Sequence, residues 1–434
     1  MRDVFVVKVP AQPVKLMMLS HNLPLGNSWD RIAVRVKGKG ALALRQGHPW
    51  LFEDSIDKIS RDGRPGDVAV VYNQEKSVLG AGLYDPSSPV RVKMLSFGPS
   101  KIPVGPELFR KLCLESKQLR DGRISAGTNA WRLINGESDA FPGMVADKYA
   151  DVLALKVYTP AFIPWLGDIA DALFELYPEL QRLAIRFSRE VQRMSDEARF
   201  GLLDGTLLAD GPQAWDGAVQ FLENGIIFEA DVKSGQKTGF FLDQRDNRAA
   251  VGELAKGAGK VLNLFSYSGG FSLYAARAGA AEVFSVDFSK HAIAAACRNF
   301  ALNTSDRNIA ACKHSGITGD AFEVMNNMEK EKKLFDIVVV DPPSFAKSAV
   351  EKSTAIKSYA RLAGSAVKLI RKNGILVFAS CSSRICADEL FEVVHEVAAS
   401  AGRPLDEFMR TSHAADHPAR FKESNYLKCL YARV

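Results

Sequence analysis

The stretch that most constrains this chain runs from Gly235 to Ser289. It opens with GQKTGFFLDQRDNR, passes a short polar linker, and continues VLNLFSYSGGFSLYAARAGAAEVFSVDFS. Val261 to Phe265 is an apolar run of strand type, and Ser266-Tyr267-Ser268-Gly269-Gly270 is a turn. Phe271 to Ala278 shows helical spacing, Gly279 fits a helix C-terminus, and Val283 to Val286 is a second strand closing on Asp287. Strand, tight turn, helix and a strand ending in an acid make half of a nucleotide-binding α/β unit. Gly269 and Gly270 let the backbone approach a ligand closely. The acid after the second strand can accept hydrogen bonds from two ribose hydroxyls. On its own the pattern is weak, because a glycine-rich first turn also serves packing.

The order of signals downstream strengthens it. A helical run, His291 to Leu302, leads to Gly319-Asp320-Ala321-Phe322. A buried strand, Phe335 to Val340, ends in Asp341-Pro342-Pro343-Ser344-Phe345. The pattern then predicts a helix over Ser358 to Ile370, Gly374 as its stop, and a strand, Ile375 to Ala379, running into Ser380-Cys381-Ser382. Ligands of open α/β sheets sit outside the carboxyl ends of the strands. Each polar motif falls at such an end, so one crevice can collect them all.

KTGFFLDQR, NLFSYSGGF, SVDFS, GDAF, DPPSFAKS and ASCSS together resemble class I S-adenosylmethionine (SAM) methyltransferases, and more narrowly the RlmI-type ribosomal RNA cytosine-C5 methyltransferases. The resemblance runs from near Arg31 to Val434. It implies a Rossmann-like α/β methyltransferase sheet, preceded by a small PUA-like β-barrel and an α+β linking domain. The implied boundaries are 1–28 for an N-terminal extension, 29–100 for the RNA-binding barrel, 101–225 for the central domain and 226–434 for the methyltransferase domain. The extension departs from the family pattern, as a strand-like addition or an upstream start codon.

Bulk properties agree with a multidomain soluble protein. At 434 residues, 47% hydrophobic and 24% charged, the chain is too long for one ordinary core. A net charge of +6 permits a polyanionic partner without requiring one. Six scattered cysteines form no CxxC pair, which speaks against zinc and against a disulfide framework. A reducing cytoplasm is the expected setting, with no metal and no membrane. No apolar run reaches spanning length, and Val14 to Leu19, interrupted by Lys15, does not read as a signal peptide.

Residues 30–98 look all-β, with turns of Gly, Asp and Pro between short strands. Arg45, His48 and Lys39 read plainly as solvated loop residues; the PUA resemblance implies phosphate contacts for Arg45 and His48. In the middle region Arg132, Asn135, Glu137 and Asp139 form a tempting acid–base cluster, but turn chemistry and domain-interface bonds explain them better. The tail Asn425 to Val434 is strand-like and, by resemblance, inserts antiparallel into the sheet.

The resemblance also distributes roles. Phe265, Ser266, Tyr267, Ser268 and Gly269 would face the methionine part of SAM, and Asp287 with Phe288 the ribose side. Asp320 would meet the adenine amine and Ala321 or Phe322 its ring. Lys237, Thr238, Gln244 and Arg245 would fold over the methionine end, with Arg245 on the carboxylate. Asp341 and Pro342 would border both cofactor and base. Asn263 and Ser266 stand where many methyltransferases have an acid and a glycine, a departure the narrower family shares.

Cytosine C5 is a poor nucleophile until a thiolate adds to C6. The chemistry therefore needs a cysteine at the mouth of the site. Cys381 is the candidate, with Asp341 at the cytosine N3/N4 edge and Pro343 and Phe345 as substrate contacts, Phe345 stacking on a flipped base. Against this, a cysteine near a strand is commonly a small core residue, and Cys386 is a rival. The expected partner is ribosomal RNA, and a homodimer is one assembly the sequence allows. Three other readings compete: a SAM-dependent guanine methyltransferase needing no cysteine, an NAD-dependent oxidoreductase on the same half-fold, and a silent RNA-binding protein.

Overall fold

The computed structural model describes residues 23–24, 30–99, 103–209, 215–345 and 350–434. The 1–28 extension lies almost wholly outside them, as do residues 346–348 of the DPPSFAKS motif. The contacts divide the chain into two compact units. The first comprises Met1–Asp121, Trp131–Val219 and Asp231–Phe240; the second comprises Gly122–Ala130, Gln220–Ala230 and Phe241–Val434.

The first unit holds two sheets. Strands β1 (Arg31–Val36), β2 (Trp50–Phe52), β3 (Ile56–Ile59), β4 (Val68–Tyr72), β5 (Val78–Tyr84) and β6 (Val90–Phe97) associate in the order β2-β6-β5-β4-β1-β3. Strand β1 alternates exposed and buried residues, so one face covers a core of Ile32, Val34, Val71, Val92 and Met94. One expectation fails here: residues 30–98 are not all-β. Gly38–Arg45 is a helix, because Ala41-Leu42-Ala43-Leu44 are good helix formers whose Ala41 and Leu44 turn inward. The second sheet has the order β11-β10-β9-β8-β7, from β7 (Ala130–Asn135), β8 (Met144–Tyr149), β9 (Val152–Val157), β10 (Arg182–Phe187) and β11 (Thr206–Ala209). Next in the chain comes a hairpin, β12 (Ala218–Glu223) with β13 (Ile226–Asp231), of which Gln220–Ala230 belongs to the second unit.

The second unit is built on one sheet of seven strands: β14 (Lys260–Leu264), β15 (Glu282–Asp287), β16 (Lys313–Thr318), β17 (Phe335–Val340), β18 (Ile370–Ser380), β19 (Asp406–Thr411) and β20 (Lys428–Arg433). Their order is β16-β15-β14-β17-β18-β20-β19. Strands β14 to β18 are parallel, and β20 runs antiparallel between β18 and β19, as the strand-like tail leads one to expect. Every residue of β17 is buried, as befits a central strand covered on both faces.

Two edge strands, β16 and β19, escape the sequence reading because their half-exposed, polar residues lack an apolar run. The helix placed at Ser358–Ile370 spans Lys352–Lys368 instead, and Gly374 is not its stop. Gly374 lies inside β18, where an added Cβ would stand 2.9 Å from the Asp336 carbonyl oxygen. Close approach of two backbones, not helix termination, is what requires glycine there.

Candidate active site

The strand order reverses beside β14, and the turn that leaves β14 is strained. Phe265, Tyr267 and Gly269 have φ of 58°, 46° and 79°. A bulky residue in the left-handed region costs about 1–3 kcal/mol and persists only when its surroundings enforce it. Here they do. The Tyr267 amide donates to Asp287 Oδ2 at 2.9 Å, the Ser266 amide to the Val286 carbonyl at 2.9 Å, and Asn299 Nδ2 to the Ser268 carbonyl at 2.9 Å. Gly269 and Gly270 leave no room for a side chain: a Cβ would stand 2.9 Å from Ala296 Cβ or 2.7 Å from Arg248 Cδ. The Ser266 and Ser268 hydroxyls are buried and find no hydrogen-bond partner among the described residues. Buried hydroxyls in a strained turn are suited to a polar ligand that satisfies them. The turn therefore fits the amino-acid portion of SAM.

At the end of β15, Asp287 is half-buried and also accepts from the Ser289 amide at 2.9 Å. Phe288 beside it is 82% exposed, an unusual state for so large a ring. Asp320, past β16, caps the Ala321–Lys330 helix by accepting from the Phe322 and Glu323 amides at 2.9 and 3.2 Å. Its exposed carboxylate has this local use whatever else it meets, and Ala321 is buried beneath it.

Asp341 emerges half-buried from β17. Gln244 Nε2 donates to its Oδ1 at 3.0 Å. Asn247 Nδ2 in turn donates to Gln244 Oε1 at 2.6 Å, and Asn247 Oδ1 accepts from Thr411 Oγ1 at 2.6 Å and from the Tyr431 hydroxyl at 3.2 Å. Each amide's orientation is thus fixed by the next, and Gln244 can offer Asp341 only N–H. Pro342 is buried, Pro343 exposed, and Phe345 packs on Tyr359 with ring centroids 5.0 Å apart.

Cys381 follows β18 directly and is half-buried. The Tyr359 hydroxyl meets Ser380 Oγ at 2.9 Å, and Ser380 Oγ accepts from the Ser382 amide at 3.2 Å, so the strand end is pinned on both sides. Burial pushes the Tyr359 hydroxyl pKa up, and the charges of Cys381 and Asp341 add to that, so both groups act on the same phenol. Cys113 and Cys429 are buried, with thiols pushed up by burial, that of Cys429 to about 12. Burial raises Cys312 to about 11, Cys297 is exposed, and Cys386 is exposed and directed at Glu389. All six cysteines are free thiols. Lys428, on β20, donates to the Ser382 and Ile385 carbonyls behind Cys381. The sequence reading passed over it, although a lysine in so apolar a tail was a signal.

Arg245 has a partner other than the one the resemblance implied. Its guanidinium is buried and forms a two-pronged pair with Asp416, 2.5 and 3.2 Å. The first unit holds the remaining sequence candidates. Thr238 is buried, with its hydroxyl bonded to Asp147 and 3.0 Å from the Tyr149 hydroxyl. Lys237 offers its carbonyl to Lys156 Nζ at 2.9 Å. Arg132 pairs with Asp147, Arg120 with Asp139, and Trp50 Nε1 donates to Glu137, so that cluster is tied up structurally. Arg45 is exposed at its helix end; His48 is half-buried, with Nδ1 3.2 Å from the Trp50 amide nitrogen.

Among the described residues no group of three or more His, Cys, Asp or Glu is placed to hold a metal, and no helix is long and apolar enough to cross a membrane.

This sheet order, with a strained turn after its central strand and an acid closing the next, defines a SAM-dependent methyltransferase. Residues 206–418 match the S-adenosylmethionine-dependent methyltransferase family, and residues 34–97 match a PUA-like domain. A ribosomal RNA large subunit methyltransferase from Deinococcus radiodurans is 40% identical over 94% of this chain and 98% of its own length. Ribosomal RNA large subunit methyltransferase I from Shewanella amazonensis is 33% identical over 93% and 99%. The chain belongs to the ribosomal RNA large subunit methyltransferase family. Its fold is shared with a protein described as a SAM-dependent methyltransferase from Streptococcus mutans (24% identity, TM-score 0.75, covering 93% of this chain and 100% of that one). It is also shared with a protein described as a methyltransferase and crystallised in complex with SAH (24% identity, TM-score 0.76, with the same coverage).

Proposed function

We propose that the chain methylates C5 of a cytosine in large-subunit ribosomal RNA, with Cys381 as the nucleophile. The observation that carries this reading is the placement of a half-buried cysteine at the end of β18, beside the β17 strand that ends in Asp341. Family membership supports the RNA substrate. A reducing, cytoplasmic setting suits the six free thiols.

In this reading SAM, when bound, supplies the electrophilic methyl group. The Ser266–Gly269 turn holds its amino-acid end, Asp287 with Phe288 the ribose side, Ala321 the ring of its base, and Asp320 the adenine amine. Gln244 and Arg245 frame the site, Gln244 through Asp341 and Arg245 through Asp416. Cys381 Sγ adds to cytosine C6, and the C5–C6 π electrons move to C5. Asp341 accepts from the N4 amino group and bonds N3 when one of the two is protonated, and Gln244 fixes the carboxylate's direction. Loss of the C5 proton later expels the thiolate and restores the double bond. Phe345 stacks on the flipped base, with Pro343 beside it. Arg45 and His48 contact phosphate in the first unit.

The test is to incubate the protein with bulk ribosomal RNA and methyl-labelled SAM, digest the RNA and identify the labelled nucleoside. Label in 5-methylcytidine is expected; label in a methylated guanosine would overturn the cytosine reading.

A further inference from the structure

Lys428 is the cross-strand partner of Ser380, on a strand whose residues are buried from Lys428 to Ala432. The lysine is 5% exposed. Lysines are almost never this buried unless paired, because the ammonium loses its hydration. Yet among the described residues no carboxylate lies within ion-pair distance of it. Its nitrogen is held by two neutral acceptors, the Ser382 and Ile385 carbonyls, which leave one of three N–H groups over.

Three titratable groups act on that ammonium: Cys381, Cys386 and Glu389. Glu389 already pairs with Lys352 at 2.8 Å on the adjoining helix, and exposed Cys386 points at Glu389. Cys381 is left as the anion such a buried cation is built to face. Burial lowers the Lys428 ammonium pKa to about 8, and negative charge on Cys381 works against that fall. The coupling is mutual: a thiolate that favours the ammonium is favoured by it.

We infer that Lys428 is a positioning residue for Cys381, fixing the turn that follows it from within the sheet and holding the thiol as its thiolate. This rests on Cys381 being the nucleophile. The two bonds hold Ser382 and Ile385 against β20, so the loop cannot carry Sγ away from the strand end. The positive charge of Lys428 beneath the loop keeps the proton off sulfur, and no general base is then needed to start the reaction.

The experiment is the pH dependence of Cys381 alkylation by iodoacetamide in the full-length protein, read by peptide mapping so that Cys297 and Cys386 serve as internal references. The wild-type midpoint for Cys381 is expected well below the ordinary thiol value of about 8.5. Lys428→Gln, which can keep a loop bond but carries no charge, is expected to raise the midpoint by about one pH unit or more, roughly a tenfold loss of thiolate at a given pH. Lys428→Arg is expected to keep it low, and the two reference cysteines are expected to be unchanged. An unshifted Cys381 midpoint in Lys428→Gln would overturn the inference. Should neither variant fold, a wild-type midpoint at or above about 8.5 overturns it by itself. A low, Lys428-dependent midpoint with methylation intact in Cys381→Ala would sink the nucleophile reading. An ordinary midpoint with methylation abolished in Cys381→Ala would sink the lysine's role alone.

Discussion

Gln244 and Asp341 are joined by a single hydrogen bond, Nε2 to Oδ1 at 3.0 Å, and Asn247 dictates which end of the amide makes it. The Asp341 carboxylate is therefore aimed by a chain reaching back to Thr411 and Tyr431 on the far strands of the sheet. Gln244→Ala is expected to lower kcat by ~10- to 100-fold, the range set by ~1.5–3 kcal/mol for a lost hydrogen bond to a charged group. SAM affinity should fall less. Gln244→Glu should be worse than Gln244→Ala, since a second carboxylate there opposes ionisation of Asp341. Steady-state kinetics on all three proteins check this; equal effects on kcat in both variants would refute the ordering.

Asp287 holds the Tyr267 and Ser289 amides as well as any ribose it meets. Asp287→Asn keeps one acceptor oxygen but loses the charge. Calorimetric titration with SAM is expected to show a Kd raised by about 10-fold or more, in line with ~1.5–3 kcal/mol for a charged hydrogen bond. An unchanged Kd would remove Asp287 from the cofactor site.

Gly269→Ala puts a Cβ 2.9 Å from Ala296 Cβ in a residue with φ of 79°. Both clash and backbone strain act on the turn, so a loss of ~1–3 kcal/mol in stability is expected. SAM binding should drop further than this, because the turn itself must shift. Urea unfolding with and without SAM separates the two effects; a variant that binds SAM normally would show that the turn's shape is unimportant.

Asp416 is buried, and burial alone would raise its pKa. The charges of His417 and Arg245 beside it overcome that and hold its carboxyl well below the usual range. A carboxyl lower in the folded than in the unfolded chain stabilises fully above the unfolded value of about 4 and progressively less as pH falls below it. Asp416→Asn takes the two-pronged partner from the buried Arg245 guanidinium and leaves it the exposed Asp246 carboxylate 3.5 Å from Nε, at a cost of up to about 3–5 kcal/mol at neutral pH. The gap in urea midpoint between wild type and variant should therefore be widest near pH 7 and narrow below about pH 4. A gap constant down to pH 3 would mean that the carboxylate charge contributes nothing.

Cys381→Ala is expected to abolish 5-methylcytidine formation, on the order of 10⁴-fold or more for a covalent nucleophile, while SAM binding is retained. Methylation persisting near the wild-type rate would return the cysteine to a packing role.

Much of this could be read from the chain alone, because the central strands announce themselves. FDIVVV can only be buried on both faces, and its terminal Asp341 then has to lie at the rim. Short-range signals fixed the turn before Gly269 and the acid Asp287 equally well. What escaped is long-range. The Arg245–Asp416 pair spans 171 residues and the Tyr431–Asn247 bond 184, and no local pattern encodes either. Arg245 looked available for a ligand because its partner sits in an unremarkable loop. The edge strands β16 and β19 escaped because half-exposed strands carry polar residues that imitate loops.

The path of the chain also bears on inheritance and synthesis. The second unit is assembled from three separate stretches, Gly122–Ala130, Gln220–Ala230 and Phe241–Val434, so the backbone passes between units five times. A gene fragment starting at residue 226 would leave behind Glu223, whose carboxylate grips Arg248 in that unit's interior. Recombination can hardly shuffle such halves as cassettes. During translation, residues 122–130 and 220–230 can pair with each other, Gly127 with Gly225 and Asn129 with Leu222, but their bonds to Arg248, Tyr274, Asn299 and Asn303 must wait until those residues have emerged. Folding of this unit is thus expected to be slow and to follow completion of the polypeptide, as non-local contacts generally require.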